Sequence, residues 1–234
     1  MTNKDVIQYN LAEALAGATC PVCRCIAEAT RRFLDNLMYE FVNDNQTRDR
    51  LRATKGFCRE HAWTLQKMGD PLGHSILYAD LVDSFRQHLE KKGLIGKHKS
   101  AAFLAGKEEH CLACREEREM ERRYIFGLLR ALNNGEFREA YRSSAGLCLP
   151  HYQLAERQAT DGDLRATLRE VQIDRMAKLS AELKEFIRKS DFRNVGEPPG
   201  EERDAWIRAV GLWVGSPHLE KEQRTAFHKK SKPV

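Results

Sequence analysis

The sequence predicts an all-α protein, a helical bundle built from two tandem three-helix repeats that are followed by a C-terminal helix and a basic tail. Apolar residues recur at helical spacing after Cys23, as in Ile26, Phe33 and Leu37. No stretch alternates apolar and polar residues for long enough to predict a strand. A pattern of cysteine and histidine that occurs twice divides the chain into the two repeats.

The repeated pattern is a CxxC pair followed by GxCxxH. The first copy contains "CPVC" at 20–23 and "GFCREH" at 56–61, and the second contains "CLAC" at 111–114 and "GLCLPH" at 146–151. Cys111 lies 91 residues after Cys20, and Cys148 lies 90 residues after Cys58. Because the offset changes by only one residue across the whole motif, we interpret the two copies as an internal duplication.

Within each repeat we predict a helix after CxxC, a short helix that opens at GxCxxH, and a long closing helix. The breakers "GDPLG" at 69–73 and "ATDGD" at 159–163 separate the short helix from the long one, and "KKGLIGK" at 91–97 links the repeats. The predicted first repeat is therefore 1–96 and the second is 97–190.

The predicted C-terminal segment, 191–217, contains a helix start. Two prolines followed by two glutamates, at 198–202, suit a first helical turn and its dipole. Trp206, Val210 and Trp213 then fall on one face, which we expect to dock onto the bundle. Residues 218–234 are rich in Lys and Arg without apolar periodicity, and we predict a disordered basic tail there.

The cysteine and histidine spacing predicts two metal sites, because two pairs of donors three residues apart can converge on one tetrahedral ion. We expect each repeat to complete a Cys3His site from its own residues, with glycine two residues before the third cysteine allowing a tight turn. The predicted ligands of the first repeat are Cys20, Cys23, Cys58 and His61, and those of the second are Cys111, Cys114, Cys148 and His151.

Zinc is the metal that these ligand pairs favour, since CxxC and CxxH pairs are typical of closed structural Zn2+ sites. The alternative is a [4Fe-4S] cluster in each repeat, although histidine is a less common ligand of such clusters. A third alternative is a set of metal-free thiols. Cys25, which has no counterpart in the second copy, is interpreted as a small side chain near the site rather than as a ligand.

Composition and motifs exclude some classes of function. The net charge is +5, but basic and acidic residues are interleaved, so nucleic acid is not an expected partner. No apolar run is long enough to span a membrane and no signal peptide is recognisable, so we expect a cytoplasmic protein with no membrane partner. GxSxG, P-loop, GxGxxG and HExxH motifs are absent from the sequence, which argues against an enzyme.

These observations predict a metal-binding helical protein that acts as a binding or scaffold module. The alternative function is an iron–sulfur redox or sensor protein, and a thiol–disulfide enzyme that uses "CPVC" is less favoured because no βαβ pattern surrounds that motif. A protein partner is compatible with the sequence, but the sequence identifies neither that partner nor the oligomeric state.

The duplicated CPxC and GxCxxH motifs, Trp63 after the first histidine, and "DFRNVGEPPGEERDAW" followed by Gly215 resemble an uncharacterised bacterial family of cytoplasmic proteins with a domain of unknown function. The resemblance covers roughly residues 10–215. It implies an all-helical bacterial protein whose matching Cys and His residues bind metal, and it implies no activity. Cys25 departs from the family pattern.

Overall fold

A computed structural model describes residues 3–92, 111–194 and 196–217. Within these residues the all-α prediction is confirmed, because every regular element is helical. The predicted repeat boundary at 96 and 97 and the predicted tail at 218–234 lie outside the described residues. The α-helices are α1 (Asn3–Leu15), α2 (Pro21–Glu40), α3 (Asn45–Thr54), α4 (Arg59–Met68), α5 (Pro71–Lys92), α6 (Leu112–Ala131), α7 (Gly135–Ser143), α8 (Leu149–Gln158), α9 (Gly162–Lys189) and α10 (Ala205–Val214). None of them combines the length and the apolarity that a membrane crossing requires.

Among the described residues, each copy of the motif contains four helices, from the long helix at CxxC to the long closing helix, one more than the sequence predicts. The additional helices are α3 and α7, which lie between the long helix after CxxC and the short helix at GxCxxH. Side chains cap both, since Asp44 accepts a hydrogen bond from the Thr47 backbone and Asn134 accepts one from the Phe137 backbone. Leu51 is the one buried residue of α3, so that helix has too few apolar positions to give a periodic signal.

The described chain divides into two compact units. The first consists of Met1–Ala27 and Glu121–Val234, and the second consists of Glu28–Met120. Two long helices, α2 and α6, each contribute residues to both units, because the divisions of the chain fall within them.

The second unit has a continuous apolar core. In it α3 packs against α5, and the core residues come from the end of α2, from α3 to α5 and from the start of α6. Its buried cysteines, Cys58 and Cys111, belong to the same cluster as the leucines, so the predicted ligands lie inside the core. The cluster consists of Leu34, Leu37, Met38, Val42, Leu51, Phe57, Cys58, Leu65, Leu77, Cys111 and Ala113.

The first unit is organised around α9, its longest helix. This helix packs against α7, α8 and α10, while α10 also contacts α8 and α1 contacts α7. Leu168 of α9, Tyr141 of α7 and Leu11 of α1 are fully buried. This packing fixes the start of α8, where the second GxCxxH motif lies.

The C-terminal helix α10 packs against other helices, but through the face opposite to the one that the sequence analysis predicts. Ala205 is fully buried, whereas Trp206, Val210 and Trp213 are 47%, 59% and 66% exposed. The prediction that these three residues dock onto the bundle is therefore wrong. Small residues such as Ala205 allow α10 to approach α8 and α9 closely, and the larger apolar side chains face outward.

Candidate metal centres

The structure brings the eight predicted ligands together in two groups of four. Site 1 consists of Cys20, Cys23, Cys148 and His151, and site 2 consists of Cys58, His61, Cys111 and Cys114. In each group the ligand atoms all lie within 4.8 Å of one another. The ligand types are those predicted, but the grouping within repeats is wrong. Each CxxC pair meets the CxxH pair of the other copy.

Each site is built from the first turns of two helices. In site 1, Cys20 immediately precedes α2 and Cys23 lies in its first turn, while Cys148 is the N-cap of α8 and His151 lies in its first turn. Site 2 has the same construction, with Cys111 and Cys114 at the start of α6 and with Cys58 and His61 at the start of α4. Helix N-termini favour negative charge, and a metal ion binds cysteine in its negatively charged thiolate form.

The glycine before each N-cap cysteine adopts a conformation that other residues rarely adopt. Gly56 has φ +85° and Gly146 has φ +71°, both in the left-handed region. A Cβ atom at Gly56 would lie 3.1 Å from Leu81 Cδ1, and one at Gly146 would lie 3.3 Å from Arg175 Cγ. The two glycines therefore allow the tight turn into α4 and α8 that positions the last two ligands, as predicted.

In site 1 the three sulfur atoms surround the Nδ1 atom of His151. This nitrogen lies 3.4 Å from the Sγ of Cys20, 3.4 Å from that of Cys23 and 3.1 Å from that of Cys148. The Cys23 and Cys148 sulfurs are 3.7 Å apart.

Site 2 repeats this geometry around His61 Nδ1. The distances from Nδ1 to the Sγ atoms of Cys58, Cys111 and Cys114 are 3.2, 3.7 and 3.4 Å. The Cys58 and Cys114 sulfurs are 3.7 Å apart. The four residues of site 1 are all buried, whereas Cys114 of site 2 is only partly buried.

A glutamate contacts the outer nitrogen of each histidine. Nε2 of His61 lies 3.0 Å from Glu117, and Nε2 of His151 lies 3.1 Å from Glu121. Both glutamates belong to α6, one helical turn apart. With Nε2–H donating to a carboxylate, Nδ1 is left with its lone pair toward the three sulfurs, an arrangement common around metal-bound histidine. The sequence analysis did not identify these glutamates.

In each group, the pKa of the histidine and the pKa of one cysteine are shifted in opposite directions. Burial by itself would lower the pKa of His61, but its hydrogen bonds with Cys111 and Glu117 raise that pKa to about 11. Burial would raise the pKa of Cys111, but the hydrogen bond with His61 and the backbone lower it to about 6. In site 1, hydrogen bonds with Cys148 and Cys20 raise the pKa of His151 to about 12, although burial would lower it. Hydrogen bonds with Cys148 and Cys23 lower the pKa of Cys20, although burial would raise it. Without a metal ion, these shifts favour a thiolate beside an imidazolium in each group, whereas a bound metal ion would replace the proton on Nδ1.

Gly215 brings the end of α10 against site 1. It has φ +88° at the C-cap of α10, and a Cβ atom there would lie 3.3 Å from the Sγ of Cys23 and 3.7 Å from that of Cys148. Only a residue without a side chain allows the backbone to approach the two sulfurs this closely. Site 1 and the C-terminal helix are thus in direct contact.

Cys25 belongs to neither group. Its side chain is buried, and its Sγ lies 3.5 Å from the backbone oxygen of Asn10. The thiol therefore fills a small space where α2 passes α1, in agreement with its interpretation as a small side chain near the site.

The two glutamates allow a reciprocal test. We expect Glu117→Gln to weaken metal binding at site 2 and Glu121→Gln to weaken it at site 1, each by about 10- to 100-fold, because loss of the carboxylate makes the histidine a weaker ligand. Competition with a chromophoric chelator would measure both affinities in each variant. Each variant is the control for the other, and equal weakening of both sites by one substitution would contradict the assignment.

Comparison with known proteins gives relatives without an established activity. The model of a family described as "Family of unknown function (DUF6062)" matches residues 3–219. A protein from Caldicellulosiruptor sp. (strain Rt8B.4), described as an uncharacterized 23.9 kDa protein in the xynA 3' region, is 29% identical over 203 residues, which cover 84% of this chain and 95% of that protein. No solved structure matches. The sequence resemblance to an uncharacterised family is thus confirmed.

Proposed function

For this chain, which belongs to the DUF6062 family of unknown function, we propose two structural zinc sites that stabilise a helical binding or scaffold protein. The observation that carries the proposal is the convergence of three sulfurs and one imidazole nitrogen in each group, with all ligand atoms within 4.8 Å of one another.

The spacing of the ligand atoms supports a single ion in each site. Metal–ligand distances of about 2.3 Å for sulfur and about 2.0–2.1 Å for nitrogen imply tetrahedral edges of about 3.8 Å between sulfurs and about 3.5 Å between sulfur and nitrogen. One sulfur–sulfur distance in each site is 3.7 Å, and the sulfur–nitrogen distances run from 3.1 to 3.7 Å. No two ligand atoms of a site are more than 4.8 Å apart, so the residues present fit one tetrahedral ion.

The same spacing is less suited to the iron–sulfur alternative. In a cubane cluster each protein ligand binds a different iron, so the ligand atoms are separated by the cluster itself and not by a single ion. Site 1 would have to expand to admit a cluster, and its four ligands lie in the buried interior of the first unit. Zinc, when bound, would supply a closed tetrahedral crosslink between two helix N-termini.

A site with four protein ligands has no open position for a substrate or a water molecule, and this supports a structural role over catalysis. Such a crosslink is useful to a binding or scaffold protein because it fixes the position of two helix N-termini relative to each other. None of the seven cysteines forms a disulfide, which suits metal binding in a reducing compartment such as the cytoplasm.

Elemental analysis of purified protein tests the proposal. We expect two zinc ions per chain and no stoichiometric iron, whether the protein is purified in air or anaerobically, because closed zinc–thiolate sites retain their ion. Cobalt(II) bound in place of zinc is expected to give the intense visible absorption of tetrahedral thiolate coordination.

A colourless protein with much less than one zinc per site would contradict the zinc proposal. A brown protein that contains iron and sulfide after anaerobic purification would contradict it in favour of the iron–sulfur alternative. A protein with serine in place of both Cys23 and Cys114 is the matched control, since it loses one ligand from each site and should retain neither ion.

A further inference from the structure

The two candidate metal sites differ in how well their sulfur atoms are covered. In site 1 all three cysteines are buried, and Cys23, the second cysteine of its CxxC pair, is 4% exposed. In site 2, Cys58 and Cys111 are 4% and 0% exposed, but Cys114, the second cysteine of its CxxC pair, is only partly buried. The two sites have the same ligand types, so solvent access is what distinguishes Cys114 from Cys23.

The backbone at the end of α10 covers the equivalent sulfur of site 1. A Cβ atom at Gly215 would lie 3.3 Å from the Sγ of Cys23 and 3.7 Å from that of Cys148. A backbone this close blocks the approach of a small molecule to either sulfur from that side. Reactive cysteines are partly exposed, whereas buried structural ones are inert. On this criterion Cys114 is the reactive sulfur and Cys23 is the protected one.

Cys114 has a second sulfur within reach. Its Sγ lies 3.7 Å from the Sγ of Cys58, and rotation of the side chains can close this gap to the roughly 2.05 Å of a disulfide bond. As zinc ligands both residues would be thiolates, the form of cysteine that reacts with oxidants. Site 2 therefore combines an accessible thiolate with a neighbouring thiolate that can react with its oxidised form.

We propose that Cys114 is a peroxide-sensitive modification site, and that its oxidation joins it to Cys58 in a disulfide while site 1 stays intact. This inference rests on the proposed zinc sites. First, the Cys114 thiolate attacks one oxygen of hydrogen peroxide, the O–O bond breaks, hydroxide leaves, and a sulfenic acid forms. The Cys58 thiolate then attacks that sulfur, so that the S–S bond forms, the S–O bond breaks and a second hydroxide leaves. The two thiolates lose two electrons, which the peroxide accepts.

The disulfide would remove two of the four ligands of site 2, so this site would release its ion. The starts of α4 and α6 would then lose the crosslink that joins them within the core of the second unit, where Cys58 and Cys111 belong to the apolar cluster. Thiols reduce a disulfide by exchange, so the change is reversible. Peroxide would thus act on the second unit and leave the crosslink of the first unit in place.

Peroxide treatment of the full chain, as purified with its zinc, tests the proposal. We expect release of one of the two ions, measured with a chromophoric chelator, and a peptide in which Cys58 is linked to Cys114, identified by mass spectrometry. The cysteines of site 1 should be oxidised at least about tenfold more slowly, because susceptibility follows exposure. Dithiothreitol followed by zinc should restore the released ion.

Two matched variants separate the role of Cys114 from a general loss of stability. Cys114→His supplies a nitrogen ligand in place of the accessible thiolate, so it should bind two ions and release the second at least about tenfold more slowly in peroxide. Cys23→His is the control, because Cys23 has the same position in site 1. In this variant the disulfide between Cys58 and Cys114 should form at the unchanged rate.

The outcomes distinguish this inference from the zinc proposal. A chain without zinc before peroxide is added would contradict the zinc proposal, on which the inference depends. Loss of both ions at the same rate, retention of both, or a first disulfide within site 1 would overturn the inference alone. So would a disulfide between Cys111 and Cys114, because Cys58 would then not be the reacting partner. If Cys114→His fails to retain its second ion, the order in which the cysteines of the unchanged protein are oxidised decides.

Discussion

A protein with serine at both Cys20 and Cys148 is expected to lose one of two metal ions, the same loss that either substitution causes alone. The two cysteines belong to the same group of candidate ligands, so the second substitution acts on a site that is already incomplete. In contrast, combined Cys20→Ser and Cys58→Ser should remove both ions, because each substitution disrupts a different site. Metal content after dialysis against a moderate chelator would measure all four variants.

This set of variants separates the observed grouping from grouping within each repeat. If each repeat held its own ion, combined Cys20→Ser and Cys58→Ser would remove one ion, and combined Cys20→Ser and Cys148→Ser would remove both. The two arrangements thus predict opposite results for the same pair of proteins. Cys25 is also buried but belongs to neither group, so Cys25→Ser is a matched control. This variant should retain two ions.

Loss of the ion at site 1 is expected to free the C-terminal helix. Gly215, at the end of α10, lies against the Cys23 and Cys148 sulfurs, so disorder of these side chains removes a support of the helix. A structural zinc ion contributes about 10 kcal/mol or more, comparable to the whole stability of a small domain at about 5–15 kcal/mol. Amide hydrogen exchange in α10 should therefore be at least about tenfold faster in Cys148→Ser than in the unchanged protein.

The paired control for this experiment is Cys58→Ser. Cys58 has the same position in the first copy of the motif as Cys148 has in the second, but it belongs to site 2. Gly215 at the end of α10 lies against the sulfurs of site 1 and not against those of site 2. Exchange in α10 should stay slow in this variant, while exchange in α4 becomes fast. Equal protection of α10 in both variants would show that site 1 does not support the helix.

The two glutamates and the outward apolar face of α10, which bears Trp206, Val210 and Trp213, show where sequence patterns stop being informative. Glu117 and Glu121 are two of many glutamates in a charged helix, and only the position of each histidine ring distinguishes them from their neighbours. Apolar residues of α10 at helical spacing predict one face of a helix, but the spacing does not specify whether that face packs or is exposed. The small residues that allow docking carry no strong hydrophobic signal.

The sequence by itself determined the all-α class, the eight candidate ligands and the local geometry of each pair of candidate ligands. Residues three apart at a helix start lie close together whatever the rest of the chain does, so CxxC and CxxH define half-sites by local structure alone. Only the tertiary structure decided which half-sites meet. Pairing within copies and pairing between copies give the same three sulfurs and one nitrogen, so ligand chemistry does not distinguish them. The choice depends on how α2, α4, α6 and α8 pack, and that packing is set by many apolar contacts spread along the chain.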